Sequence, residues 1–284
     1  MAASWLKAGK ARVKSELKRW RHRYARTFRS FTPADLQQCL GRLGVQHGDT
    51  LLVHSAYDAF AGFTGKPSDV VAVLQAAVGE DGILLMPTMS FTGTAIDYVR
   101  TGAAFDVART PSRMGLLSEL FRRMPGVQRS VHPTHAVAAW GRGAAEIVAG
   151  HHAAATPCGA GSPFARLHER HGKILLLGAD VDSLTFYHTV EEMLEARFPS
   201  SPFTREVFDL TAKGVGGELL ATRTRLFDPA VSRRRNLGRL ASALRRGRTL
   251  REVKLGQLEI ALMSTDDVVA AVTALADQGI YCYD

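Results

Sequence analysis

Residues 173–195 read Lys-Ile-Leu-Leu-Leu-Gly-Ala-Asp-Val-Asp-Ser-Leu-Thr-Phe-Tyr-His-Thr-Val-Glu-Glu-Met-Leu-Glu. Lys173–Leu177 is a short, almost wholly apolar run, the pattern of a strand buried on both faces. Gly178 closes it, and a helix is predicted over 183–197 with Asp182 as its N-cap. Strands that lead into helices in this way build a sheet covered by helices on both sides. On that helix Thr185, His188 and Glu191 recur every third residue, so they share one stripe of the first two turns with Glu192. A carboxylate one turn away can orient an imidazole and raise its basicity. A base just past the C-terminal end of a strand also lies where open α/β sheets bind ligands. The competing reading is a polar helix face with a solvated histidine, and spacing alone does not choose between the two.

The same alternation extends outward along the chain. Thr32-Pro33-Ala34-Asp35 opens a helix that ends near Gly41–Gly44, and Thr50–His54 is a buried strand. Ser68 or Asp69 caps a helix that runs to Val78, and Ile83–Met86 is a second strand. Residues 89–113 have weak periodicity and read as one long loop. Helices are predicted over 114–124, 142–152 and 163–170, with a strand at 136–140. Beyond Pro202 the expected elements are strands at 206–210 and 222–227 and a basic helix at 234–246. An edge strand at 257–263 and a helix over 265–278 capped by Thr265 complete the set. The expected architecture is α/β: a three-layer α/β/α sandwich around a largely parallel or mixed central sheet. It comprises a basic helical arm over residues 1–30 and one domain over 31–284, of which 200–284 is the divergent part.

Composition sets outer limits. The 284 residues are ample for one large core, with 46% hydrophobic residues. No run approaches the roughly 18 apolar residues of a membrane span. No secretory h-region is found at the N-terminus. Cys39, Cys158 and Cys282 are scattered and odd in number, which argues against a disulfide framework and for a reducing compartment, the cytoplasm. The net charge of +9 is uneven. Residues 1–30 hold ten Lys or Arg against Glu16, and 233–254 hold nine against Glu252. A solvated face is the preferred reading of the first block. The sharper alternative is contact with a polyanion or a membrane surface, since Trp5, Trp20 and Phe28 interleave with the basic residues.

Several chemistries find little support. Gly62-x-x-Gly65-Lys66 is too short for a phosphate loop, and no Gly-x-Gly-x-x-Gly follows the first strand. His54-Ser55 ends a strand but lacks Gly-x-Ser-x-Gly, so Ser55 reads as a hydrogen-bonding loop residue and not a nucleophile. His132-Pro-Thr-His135 and His151-His152 invite a zinc hypothesis, yet no His-Glu-x-x-His is found. His151 and His152 read as surface residues at a helix end.

Taken in order, these motifs resemble the aminoglycoside 3-N-acetyltransferase family. Val53-His54-Ser55 ends the first strand, and Gly82–Thr88 is similar to the family's Gly-Thr-Leu-Val-Met-Pro-Thr. Then come Phe105-Asp106, Pro111–Gly115, Arg129-Ser130-Val-His132-Pro133, Ala138-x-x-Gly141, Ser162-Pro163 and Leu177-Gly178. Thr185-x-x-His188-x-x-Glu191 is last. The resemblance covers about residues 45–200. It implies acetyl transfer from acetyl-CoA to an amine in a ternary complex, with no metal. By that resemblance His188 is the general base, Glu191 orients it, and Thr185 stands beside them. His54, Ser55, Ala56, Thr88, Arg129 and Ser130 meet the acetyl-CoA, Arg129 as a fork suited to phosphate. Asp106, Glu192 and His132 face the acceptor. A homodimer is an open alternative.

Departures are also plain. Ala56-Tyr57-Asp58 replaces the family's Ser-Leu-Ser, Gly65-Lys66 its Gly-Gly, and His135 a small residue. The basic C-terminal third would repel a polycationic drug and leads to an alternative acceptor, an anionic or nucleotide- or carrier-linked amino sugar of surface polysaccharide synthesis. A catalytically inactive binding or scaffold protein is the non-enzyme reading, and a metal hydrolase a distant one.

Overall fold

The computed structural model describes residue 24 and residues 27–284. The basic arm expected over residues 1–30, and any polyanion or membrane contact it makes, falls almost entirely outside them. Among the described residues no helix is long and apolar enough to cross a membrane.

Strand β1 (Thr50–Ser55) lies at the centre of the main sheet, parallel to β2 (Ile83–Pro87) on one side and β6 (Lys173–Leu177) on the other. These are the near-continuous apolar runs of the sequence, buried on both faces as parallel strands are. The antiparallel strands β5 (Val137–Gly141) and β4 (Gln128–Arg129) extend the sheet beyond β2. On the β6 side, β10 (Leu258–Ser264) and β9 (Arg251–Leu255) run antiparallel, giving the order β4-β5-β2-β1-β6-β10-β9.

Alternate residues of the central strands feed two separate cores. Leu51, Val53, Leu84, Met86, Leu175 and Leu177 face α1 (Pro33–Leu43), α2 (Pro67–Val78) and α4 (Leu116–Phe121). Leu52, Leu85, Ile174 and Leu176 face the other core, which takes in residues of α5 (Ala144–Val148), α6 (Pro163–Glu169), α7 (Tyr187–Met193), α9 (Gly238–Gly247) and α10 (Thr265–Asp277). The chain is therefore the expected three-layer α/β/α sandwich with a mixed sheet. Each large aliphatic side chain in these cores contributes about 1.5–3 kcal/mol by leaving water.

Helix α1 starts as its sequence predicts. The Thr32 hydroxyl accepts from the Asp35 amide at 3.1 Å, and the Asp35 carboxylate accepts from the Thr32 amide at 2.8 Å, a reciprocal cap.

Several expectations are corrected. Helix α2 begins earlier than Ser68: Pro67 is its first residue, and Asp69 accepts from the Lys66 amide at 2.7 Å. The stretch 89–113 is not one loop, since it holds α3 (Ala95–Arg100) and the short strand β3 (Phe105–Asp106). Strand β10 is internal, and the edge is β9, whose exposed charged residues hid it from a hydrophobic pattern. Ser264, one residue before Thr265, caps α10. Around the site, Val181–Ser183 forms a 3-10 turn with no side-chain cap from Asp182, and α7 begins only at Tyr187. Thr185 thus precedes the helix that carries His188 and Glu191.

The two strands expected beyond Pro202 are longer than predicted. The hairpin β7 (Phe203–Lys213) and β8 (Leu219–Phe227) joins β3 in a second, three-stranded sheet. Helix α3 packs on it through Ala95 and Ile96 against Phe208 and Leu226. Between that sheet and α9 lies the short helix α8 (Pro229–Arg233).

Candidate active site

A cleft of about 360 Å³ opens over the C-terminal ends of β1, β2 and β6. Val53, His54 and Ser55 from β1 with Ala56 after it, Pro87 from β2 and Gly178–Asp180 after β6 form its floor, while Met114, Ser118, Ser183 and Thr185 form its walls. Gly178 turns the chain away from β6 with φ +68, and a Cβ there would meet the Ala59 Cβ at 2.3 Å, so the turn needs glycine. His54 is buried without a hydrogen-bond partner for Nε2 among the described residues, and burial lowers it to about 4, so it is neutral. The Ala56 amide is already bonded to the Leu177 carbonyl at 3.0 Å and is no free donor to a ligand.

Thr185 links this cleft to the predicted base, since its carbonyl accepts from the His188 amide at 3.0 Å. Nδ1 of His188 lies 2.7 Å from Oε2 of Glu191. That contact directs Nε2 away from the carboxylate and leaves it as the ring's free nitrogen. Phe227 covers one face of the ring, with centroids 3.8 Å apart and planes at 27°. Phe203 stacks on Phe227 in turn at 4.9 Å, and His135 meets His188 edge-on at 6.4 Å. Burial lowers the His188 pKa, the Arg235 cation lowers it further, and Glu191 opposes both. The net effect is a ring neutral at physiological pH.

Glu191 is completely buried. Burial alone would raise its pKa. His188, Arg235 and the Tyr283 hydroxyl overcome that, so the carboxyl stays below its ordinary value. Arg235 reaches Oε1 and Oε2 at 3.2 Å, and Tyr283 donates to Oε1. Neither residue was singled out in the sequence. Arg235 was hidden in a basic run, and Tyr283 carries no motif.

The remaining predicted residues are dispersed. Arg129 is buried, with its guanidinium bonded to Thr88 Oγ1 at 2.9 Å, the Thr88 carbonyl at 2.6 Å and the carbonyls of Val107 and Thr110. Burial lowers it to about 9, still cationic at neutral pH. Four of its five N–H donors, which the sequence reading reserved for a CoA phosphate, are engaged in joining β2 to the loop after β3. Thr88 is buried in that same clasp. Ser130 is also interior, 2.8 Å from Nδ1 of His151. His151 is buried, not a surface residue at a helix end, and stacks on His132 at 4.5 Å. His132 lies wholly inside and away from the cleft lining. Asp106 binds the amides of Ala108 and Arg109 at 2.9 and 3.0 Å, so it orders its own loop. Glu192 is half-buried, takes a hydrogen bond from Thr156 and is raised by burial. A Cβ on Gly159 would fall 2.0 Å from its Oε1. Among the described residues, no group of three or more His, Cys, Asp or Glu is placed to hold a metal ion.

The basic stretch 233–254 is also accounted for in large part. Arg234 binds the Asp284 carbonyl at 2.6 Å, and Arg239 the carbonyls of Tyr281 and Tyr283 at 2.6 and 2.5 Å. Arg245 pairs with Glu252 at 2.7 Å. These charges fasten residues 281–284 and β9 in place and do not form a basic lid.

The chain is similar to proteins of known activity. The chain is 36% identical over 167 residues to aminoglycoside N(3)-acetyltransferase IV of a Salmonella species, which covers 58% of this chain and 60% of that protein. It is 34% identical over 178 residues to aminoglycoside N(3)-acetyltransferase VII of Streptomyces paromomycinus, covering 58% and 62%. These matches thus span about three fifths of the curated relatives' length. Among solved structures, a mutant of aminoglycoside acetyltransferase AAC(3)-IVa in complex with a gentamicin superposes with a TM-score of 0.72 at 28% identity, over 88% of this chain and 90% of that one. A family model described as aminoglycoside 3-N-acetyltransferase matches residues 52–277, which include every residue lining the cleft and the whole His188–Glu191 helix, and the chain belongs to that family.

Proposed function

We propose that this chain transfers an acetyl group from acetyl-CoA to an amino group of an aminoglycoside or amino-sugar-like acceptor, with His188 as general base. The observation that carries the reading is the 2.7 Å contact between His188 and Glu191, with the His188 amide bonded to the carbonyl of Thr185, which lines the strand-end cleft. The cleft takes the thioester end of acetyl-CoA. The Ser55 and Thr185 hydroxyls supply donors to the thioester oxygen as it gains charge. An ammonium has no lone pair, so the acceptor reacts as the free amine. Its nitrogen attacks the carbonyl carbon, the C–N bond forms and the C–S bond breaks. His188 Nε2 takes the proton that the nitrogen loses, and the thiolate leaves. Glu191 stabilises the imidazolium that results.

The relatives' names and the gentamicin complex support an amino-sugar acceptor. The anionic-acceptor alternative has less support, because Arg239 and Arg245 of the basic run are paired with Asp284 and Glu252 of this chain. The half-buried Glu192 is the candidate partner for an acceptor ammonium. The free thiols Cys39, Cys158 and Cys282 fit a cytoplasmic setting. An assay that follows CoA release with a panel of aminoglycosides and simple amino sugars tests the proposal. Acceptor-dependent release is expected, and release that ignores every amine rejects it.

A further inference from the structure

Glu191 has three donors, and two of them come from distant parts of the chain. Arg235 lies in the turn before α9, and Tyr283 in the stretch after α10. The two residues are tied to each other: their backbones pair as an isolated antiparallel bridge. The Asn236 amide binds the Cys282 carbonyl at 2.8 Å, the Asp284 amide binds the Arg234 carbonyl at 2.7 Å, and Arg239 adds its two carbonyl contacts. The guanidinium also sits over the Tyr187 ring at 5.8 Å. Glu191 itself is shut off from water. A buried carboxylate without such donors would take up a proton and cease to orient an imidazole.

We infer that Arg235 and Tyr283 are positioning residues for the base: clamped together, they hold Glu191 ionised and aligned, and they draw its charge away from His188. The inference rests on His188 being the base of the proposed reaction. A carboxylate that shares its lone pairs among three donors binds each less tightly. With Arg235 and Tyr283 in place, Glu191 therefore aligns Nδ1–H without trapping His188 as imidazolium. The charged and titratable groups that face the pair are Arg235, His135 and Tyr283, with Cys158, Tyr187 and Cys282 kept neutral by burial. The stretch that follows α10 thereby backs the Glu191 carboxylate through Tyr283.

Nitrogen-15 NMR of the histidines in the purified chain, without substrates, reads this directly. The His188 signal is identified by its loss in His188→Gln. The wild type should show the Nδ1–H tautomer. In Arg235→Met, Tyr283 and His188 still donate to Glu191 and keep it ionised, so the His188 midpoint should rise by about one pH unit, the size of a removed neighbouring charge. Tyr283→Phe should move it upward by less. Arg235→Lys keeps the cation and should stay near the wild type. In the acetylation assay, Arg235→Met and Tyr283→Phe should lower kcat roughly tenfold or more with little change in the acceptor KM. An unchanged tautomer and midpoint in both Arg235→Met and Tyr283→Phe would overturn the inference. If Tyr283→Phe does not fold, the contrast between Arg235→Met and Arg235→Lys decides alone. Absence of acetyl transfer in the wild type would reject the proposed reaction and leave the NMR result standing.

Discussion

Phe227 lies flat against His188, ring centroid to ring centroid at 3.8 Å. Phe227 is the last residue of the second sheet's hairpin, and His188 is the first polar residue of α7. The three-stranded sheet is thus more than an appendage: its end desolvates the His188 imidazole. That contact, with Arg235, explains a histidine that stays neutral despite a carboxylate at 2.7 Å.

Replacing Phe227 with alanine opens this face. The change should destabilise the chain by about 3–5 kcal/mol, the range for deleting a buried aromatic ring. Water then reaches His188 and its midpoint rises toward that of a free imidazole. A urea melt and a pH–rate profile measure the two effects.

Glu191→Gln removes the charge and keeps the shape. Arg235, only partly buried, loses its counter-ion, which costs less than the roughly 3–5 kcal/mol of a fully buried pair. Without the anion, His188 is a weaker base and its midpoint falls. Thermal unfolding of the variant at pH 7.5, beside its rate of CoA release, checks both.

Arg129→Met tests whether this guanidinium ties the fold together or holds a CoA phosphate. The side chain joins Thr88 to Val107 and Thr110, so its loss should lower stability by about 3 kcal/mol, as expected when hydrogen bonds to a buried cation are broken. The KM for acetyl-CoA in the folded fraction should change little. A large rise in that KM with unchanged stability would restore the phosphate role.

The interior histidines predict acid lability. Burial lowers His54 and His151 to about 4 in the folded chain, and lowers His132 and His135 well below the ordinary value. Their unfolded value is about 6.5. The unfolded chain therefore binds more protons between these limits, and stability is full above pH 6.5 and falls as the pH drops toward 4. His54 and His151 should each remove about 2 kcal/mol between pH 6.5 and pH 5. Urea midpoints at the two pH values measure the loss, and equal midpoints would contradict the burial of neutral rings.

The parallel core and the dyad were legible in the sequence because both obey local rules. Lys173–Leu177, Thr50–His54 and Ile83–Met86 are apolar runs of strand length, and His188 and Glu191 are three residues apart. What surrounds the dyad was not legible. Tyr283 is 92 residues from Glu191 in the chain, and no period connects them. Arg235 sat in a run whose charge density suggested solvent or an anionic ligand, whereas the fold turns much of that run onto carbonyls and carboxylates of the chain itself. Arg129 was ambiguous for a related reason: a guanidinium suits phosphate and backbone carbonyl alike, and only the fold reveals which it meets. Strand β9 was missed because an edge strand that resists aggregation is charged, and so lacks the pattern used to find strands.

The central claim is tested most directly by the pH dependence of kcat/KM for acetyl-CoA-dependent amine acetylation, in the wild type and in His188→Gln. The account predicts a wild-type acid limb below the ordinary histidine value, and a variant slowed by about 10²–10⁴-fold that has lost this limb. A His188→Gln enzyme with the wild-type rate and profile would contradict it.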